Sequence, residues 1–153
     1  MKTVLYFDMD GVLVDFQSAL KKQTPETLEM YKGHEDDIPG LFGQMEPMQG
    51  AIEAVHKLAE KYDCYILSTA PWANPSSWAD KVRWVTEHLD DVFHKKIILT
   101  HHKNMLNDGE AYLIDDRTKH GADQFGERHI HFGSNRFQNW DSVVDFLLKQ
   151  VEE

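Results

Sequence analysis

Thr3-Val4-Leu5-Tyr6-Phe7-Asp8-Met9-Asp10-Gly11-Val12-Leu13 decides how the rest of the chain is read. Its first five residues are strand formers, with apolar side chains on consecutive rather than alternate positions. That pattern predicts a strand covered on both faces, as in a parallel sheet. Two carboxylates follow at once, two residues apart, and then a glycine. Asp8 and Asp10 can face one pocket if the chain turns there, and Gly11 permits the turn. Read alone, the same residues also fit a polar turn with a helix cap.

Four more short apolar runs repeat the first: Cys64 to Ser68, Ile97 to Thr100, Ala111 to Ile114 and His129 to Phe132. Helical patterns alternate with them, which predicts an α/β protein with a parallel five-stranded sheet. One helix is expected over 50–62, with Ile52, Val55, Leu58, Ala59 and Tyr62 on its buried face. A second is expected over 78–89, with Ser77 and Asp80 as its N-terminal capping pair. A third closes the chain on a stripe of Trp140, Val143, Val144, Leu147, Leu148 and Val151. Between the first two strands the chain is longer than a simple crossover needs. The surplus, residues 16–48, holds Pro25, Gly33, Pro39, Gly40, Gly43 and Pro47, and reads as a small helical cap insertion over the carboxyl end of the first strand. Ligands bind at that end of such sheets, so the insertion is a candidate lid within a single domain spanning 1–153.

Composition excludes several classes. The 153 residues carry 16 basic and 26 acidic side chains, a net charge of −10. Such a surface repels the phosphate backbone of polymeric nucleic acid, although a local site with a metal can still take small phosphorylated molecules. No apolar run is long enough to span a bilayer, so no membrane role is expected. Asp8 breaks the N-terminal apolar run too early for a secretory signal, and the single cysteine, Cys64, cannot form an internal disulfide. A cytoplasmic protein is expected.

Further candidate residues sit at the ends of the other strands. Thr69, in Leu67-Ser68-Thr69-Ala70-Pro71, could bind a phosphate oxygen or merely cap the strand. Lys103 follows the third strand, where a solvated surface lysine is the ordinary reading. Leu113-Ile114-Asp115-Asp116 places two adjacent acids after the fourth strand, a costly arrangement without a cation. His101-His102 and His129-x-His131 lack partner ligands at zinc-site spacing and read as surface or strand-end residues. Cys64 reads as core filler. Trp72 and Trp78 fall near the pocket mouth, where they fit packing, substrate contact or a subunit neighbour.

In that order, Asp-x-Asp-Gly, strand-end Thr, Lys and Asp-Asp resemble the haloacid dehalogenase superfamily of phosphohydrolases. The resemblance narrows to the 5'(3')-deoxyribonucleotidases through Asp8-Met9-Asp10-Gly11-Val12-Leu13, Asp15-Phe16, Glu46-Pro47, Gly50-Ala51, Thr69-Ala70-Pro71, Lys81-Val82-Arg83-Trp84-Val85, His88-Leu89, Ile97-Ile98-Leu99-Thr100, Lys103, Leu113-Ile114-Asp115-Asp116 and Asn139-Trp140-Asp141. It covers nearly the whole chain. It departs from the family at Ala70, where a serine is usual, in the short 16–48 segment, and at Asn107 to Glu110, a small insertion.

The resemblance implies a Rossmann-like three-layer α/β/α sandwich with strand order 5-4-1-2-3. It also implies Mg²⁺-dependent hydrolysis of nucleoside monophosphates, deoxyribonucleotides in particular. Asp8 would be the nucleophile, forming an aspartyl phosphate, and Asp10 the general acid and base, which requires a raised pKa. Mg²⁺ would be held by Asp8, the backbone carbonyl of Asp10 and Asp116, with Asp115 in support. Thr69 and Lys103 would bind the phosphoryl group, beside Ala70. Phe16 would line the substrate pocket, with Leu41 and Phe42 as its facing wall. The alternatives are a phosphatase for a sugar or cofactor phosphate, and a non-catalytic nucleotide-binding protein. A homodimer is left open.

Overall fold

A computed structural model describes residues 1–152. Seven strands and five α-helices alternate along it: β1 (Thr3–Phe7), β2 (Val14–Asp15), α1 (Phe16–Leu20), α2 (Pro25–Met30), β3 (Glu46–Pro47), α3 (Ala51–Ala59), β4 (Tyr62–Ser68), α4 (Pro75–Phe93), β5 (Ile97–Leu99), β6 (Tyr112–Asp115), β7 (His129–His131) and α5 (Trp140–Gln150). Five of the strands form one parallel sheet in the order β5-β4-β1-β6-β7. Counted without the two-residue strands β2 and β3, which pair separately, this is the expected order 5-4-1-2-3 read from its other edge. The expected α/β fold with a five-stranded parallel sheet is therefore the fold of this chain.

Alternate residues of the central strand serve the two faces. Leu5 and Phe7 are fully buried against Val55, Leu58, Trp140, Val143 and Leu147 of α3 and α5. Tyr6 faces the other side, with Leu67, Leu113, Ala122 and Phe125. That second face is covered by 3₁₀ turns, Lys103–Leu106 and Ala122–Arg128, rather than by α-helices. The connections 100–111 and 116–128 are near the minimum length for a crossover helix with its loops. The third layer is accordingly thin.

Several boundaries differ from expectation; the helix expected over 50–62, for one, ends at Ala59, and Tyr62 lies in β4. The helix placed at 78–89 begins at Pro75, so Ser77 and Asp80 lie inside it, buried, and do not cap it. Proline at the first turn starts the helix without a wasted N–H, and the Ser77 hydroxyl donates to the Asn74 carbonyl at 2.7 Å. The helical geometry is broken at Leu89, the residue where the helix was expected to end. The second sheet strand starts at Tyr62, two residues before Cys64, because its register with β1 runs Thr3 to Tyr62.

Residues 16–48 comprise α1, α2, β3 and two 3₁₀ turns, Glu35–Asp37 and Leu41–Gln44. This segment is bound to α4 by side chains reaching backbone. Asn74 Nδ2 donates to the carbonyls of Asp36 and Ile38, both at 3.0 Å. The Gly40 N–H donates to Ser76 Oγ at 3.1 Å, and Trp84 Nε1 to the Met45 carbonyl at 2.8 Å. Removing one partner of such a bond strands a polar group away from water, costing roughly 1–3 kcal/mol. The segment expected as a lid forms a roof tied to α4 at these points. Among the described residues, no helix is long and apolar enough to cross a membrane.

Candidate functional site

The site begins where β1 ends. Asp8 N–H still donates to the Ile114 carbonyl of β6 at 2.9 Å, so the sheet itself fixes the first carboxylate. The chain then turns sharply: the N–H groups of Val12, Leu13 and Val14 all converge on the Met9 carbonyl at 2.8–3.1 Å. Met9 and Val12 are buried, and Trp140 Nε1 of α5 donates to the Val12 carbonyl at 2.9 Å, pinning the loop from below. Gly11 holds φ +77°, and a Cβ there would run into the Asp116 carboxylate. Glycine is required twice over, for the turn and for the approach of Asp116.

Parallel pairing brings the ends of β4, β5 and β6 beside it. Asp8, Asp115 and Asp116 each offer a carboxylate oxygen, and the three atoms lie within 4.8 Å of one another. Lys103 Nζ stands 3.2 Å from Asp8 Oδ1 and 2.6 Å from Asp115 Oδ2. Asp115 Oδ1 accepts the Arg117 N–H at 2.9 Å, so both its oxygens are engaged. Asp116 Oδ1, by contrast, is buried with no hydrogen-bond partner among the described residues. Thr69 faces the same cavity, but its hydroxyl donates to the Thr100 carbonyl at 2.8 Å. Ala70 beside it is fully buried.

Asp10 is held apart. Its carboxylate turns toward Lys81 of α4, whose Nζ lies 3.4 and 3.3 Å from its two oxygens. Lys81 is a residue that sequence reasoning passed over, beyond quoting it within a longer match. Its signal was available, because it shares a helix face with Ser77, Trp84 and Val85, all buried, and a lysine on such a face needs an acid to meet it.

The electrostatics follow from crowding. Burial, then the charge of Asp8, pushes Asp116 up to about 6. The same two causes raise Asp115 against the pull of Lys103. Burial also raises Asp10, opposed by Lys81 and reinforced by Asp8. Burial draws the Lys103 ammonium down, but Asp8 and Asp115 more than offset it, leaving its pKa above the ordinary lysine value. Three crowded carboxylates, one with an unpartnered buried oxygen, form a donor set suited to a hard divalent cation with oxygen ligands. The Asp10 side chain is not part of that set, which leaves only its backbone carbonyl for such a role.

Above these groups opens a cavity of about 780 Å³. Phe16 lines it and packs edge-on against Phe42, ring centres 6.0 Å apart. Leu41 and Phe42 are themselves buried in the core behind Phe16 and do not line the cavity. The expected facing wall is therefore elsewhere: Gly33 to Asp36 on the roof, and Trp72 and His101 at the mouth, ring centres 5.9 Å apart. Trp78 tilts against His101 at 6.2 Å. His129 and His131 lie behind the acid pair, with Nε2 at 3.2 and 3.0 Å from the carbonyls of Asp115 and Asp116. Cys64 is buried, and burial raises its thiol pKa to about 12.

Comparison with known proteins identifies relatives of the chain. Residues 23–151 match the family model "5' nucleotidase, deoxy (Pyrimidine), cytosolic type C protein". A protein of Vibrio phage KVP40 named "Putative 5'(3')-deoxyribonucleotidase" is 51% identical over 149 residues, covering 97% of this chain and 86% of its own length. The 5'(3')-deoxyribonucleotidase of Bacillus subtilis is 26% identical over 179 residues, covering 97% of this chain and all of its own. Among solved structures, a haloacid dehalogenase-like family hydrolase from Xanthomonas campestris superposes with a TM-score of 0.55 at 11% identity. The match covers 76% of this chain and 73% of that one.

Proposed function

The chain belongs to the family of deoxyribonucleotide 5' nucleotidases of cytosolic type C, and we propose that this phosphoric monoester hydrolase removes phosphate from nucleoside monophosphates, deoxyribonucleotides above all, in a Mg²⁺-dependent reaction through phosphorylated Asp8. The observation that carries the proposal is the division of the acids: Asp8, Asp115 and Asp116 gather beside Lys103, while Asp10 alone is turned aside. A carboxylate beside a fixed ammonium suits attack on phosphorus. A separate carboxylate of raised pKa suits proton transfer.

Asp8 attacks the phosphorus atom in line with the ester oxygen. Asp10 gives its proton to that oxygen as the P–O bond breaks, so the nucleoside leaves as a neutral alcohol. Asp10, now ionised, takes a proton from the water that attacks the phosphoryl group on Asp8, and phosphate leaves. Lys103 offsets the charge spreading over the phosphoryl oxygens. Thr69 adds a donor if its hydroxyl turns from the Thr100 carbonyl. Asp8, Asp116 and the Asp10 carbonyl, with Asp115 in support, would hold Mg²⁺, whose positive charge would let a dianion approach these acids. A cytoplasmic location goes with this substrate class.

The deoxyribonucleotidase names of the matching family and relatives support the choice of a deoxyribose. Where the ribose lies against Phe16, a 2'-hydroxyl left without a partner would cost roughly 1–3 kcal/mol, or about tenfold to a hundredfold in rate. Buried Ala70, with no hydroxyl for the phosphate, keeps a smaller phosphoester as the second reading. A panel of deoxyribonucleotides, ribonucleotides, sugar phosphates and cofactor phosphates with Mg²⁺ separates the two. Deoxyribonucleoside monophosphates are expected to lead. A sugar or cofactor phosphate that beats both nucleotide classes by a wide margin would establish the second reading instead.

A further inference from the structure

Lys81 has no solvent-exposed side-chain surface, whereas the Asp10 side chain keeps about a quarter of its own, 26%. An ammonium buried on a helix face is costly unless it is paired and its protons find acceptors. Three partners surround it. Lys81 donates to Ser68 Oγ at 2.8 Å, lies over the Phe42 ring at 4.7 Å from its centre, and straddles both oxygens of Asp10. The straddling contacts are long. They fix the direction of the Asp10 carboxylate without tying up one oxygen in a short bond.

That direction matters because three other carboxylates stand close by. Were Asp10 free to rotate into the cluster of Asp8, Asp115 and Asp116, it would add a further charge there and act as a cation ligand. A carboxylate committed to a cation cannot carry a proton to the leaving group. We propose, building on the acid–base reading of Asp10 above, that Lys81 is its positioning residue: it holds Asp10 in the proton-transfer position and out of the carboxylate cluster. Ser68, at the end of β4, and Phe42, in the roof, hold Lys81 in turn. Phe42 thereby links the roof to the chemistry without itself lining the cavity.

The test compares two leaving groups. A nucleoside alkoxide needs a proton as it departs, whereas 4-nitrophenolate departs without one. Lys81→Met should lower kcat/KM for a deoxyribonucleoside monophosphate by about 10²-fold or more, the low end of what a placed acid contributes. The loss on 4-nitrophenyl phosphate should be less than about tenfold, since acid catalysis contributes little there. In an Asp10→Asn background, Lys81→Met should add almost nothing to the nucleotide loss. Ser68→Ala perturbs folding less than Lys81→Met and should shift the ratio of the two substrates in the same direction, by a smaller factor. It carries the test if Lys81→Met does not fold. Equal losses on both substrates, or a full additional loss in the Asp10→Asn background, would overturn the proposal. The general-acid reading fails separately, if Asp10→Asn itself lowers kcat/KM equally for both substrates.

Discussion

The floor of the cavity and its roof are held together in different ways. Asp8, Lys103, Asp115 and Asp116 stand at the ends of parallel strands or in the turns that follow them, so sheet register places them, and Lys103 ties Asp8 to Asp115 by ion pairs. The roof, residues 16–48, has two short helices and 3₁₀ turns, held to α4 by Asn74, Ser76 and Trp84 and at its end by the two-residue pairing of β3 with β2. The floor has one solution because crowded charges demand exact neighbours. The roof needs only to be apolar underneath and tied at a few points. Chemistry and substrate choice can therefore vary separately within one fold.

Substitutions should divide along the same line. Removing Mg²⁺ with a chelator should abolish turnover on every substrate, and added Mg²⁺ should restore it. Asp8→Asn should lower kcat on nucleotides and on 4-nitrophenyl phosphate alike, by at least ~10³-fold, because both need the nucleophile. Phe16→Ala, at the edge of the roof, should raise KM for nucleotides by about tenfold, the order expected for losing one apolar contact of 1–3 kcal/mol. The same change should leave the small aryl phosphate nearly untouched. A Phe16 variant that loses activity on both substrates would erase the distinction between floor and roof.

The smallest effect concerns stability and pH. Asp116 has its pKa raised to about 6 in the folded protein, above the ordinary carboxylate value. Folding is therefore favoured by its protonated form, and that contribution is full below about pH 4 and lost as pH rises through about 6. Without metal, Asp116→Asn should melt above the wild type at pH 7.5, and the difference should close toward pH 4. Saturating Mg²⁺ should stabilise the wild type at pH 7.5 and the variant much less. Melting curves with and without the ion check both points, and a variant that melts below the metal-free wild type at pH 7.5 would contradict this account of the crowded acids.

The floor was legible in the sequence because each of its parts follows an apolar run. Asp8, Thr69 and Asp115 each lie at a strand end, and a parallel sheet gathers such ends on one side. Lys103 was legible only through its order among them, since a lone lysine after a strand has no distinguishing surroundings. The roof was less so. Its glycines and prolines announced short pieces and an insertion, but not that Leu41 and Phe42 would turn into the core while Gly33 to Asp36 faced the cavity. Facing direction in 3₁₀ turns depends on what lies beneath them, and no periodicity records it. Asp80 and Ser77 misled for a related reason: capping residue types were present, but Pro75 started the helix earlier. Asp10 and Lys81 lie 71 residues apart in sequence, and only the fold brings them to 3.3 Å.

The central claim is that Asp8 takes the phosphoryl group. Acid quenching during steady turnover of a deoxyribonucleoside monophosphate with Mg²⁺, followed by peptide mass spectrometry, tests it most directly. The account predicts one added phosphoryl mass on the peptide containing Asp8, labile to hydroxylamine and absent from Asp8→Asn. An enzyme that turns over the nucleotide rapidly with Asp8→Asn, or carries the label on a residue other than Asp8, would contradict it.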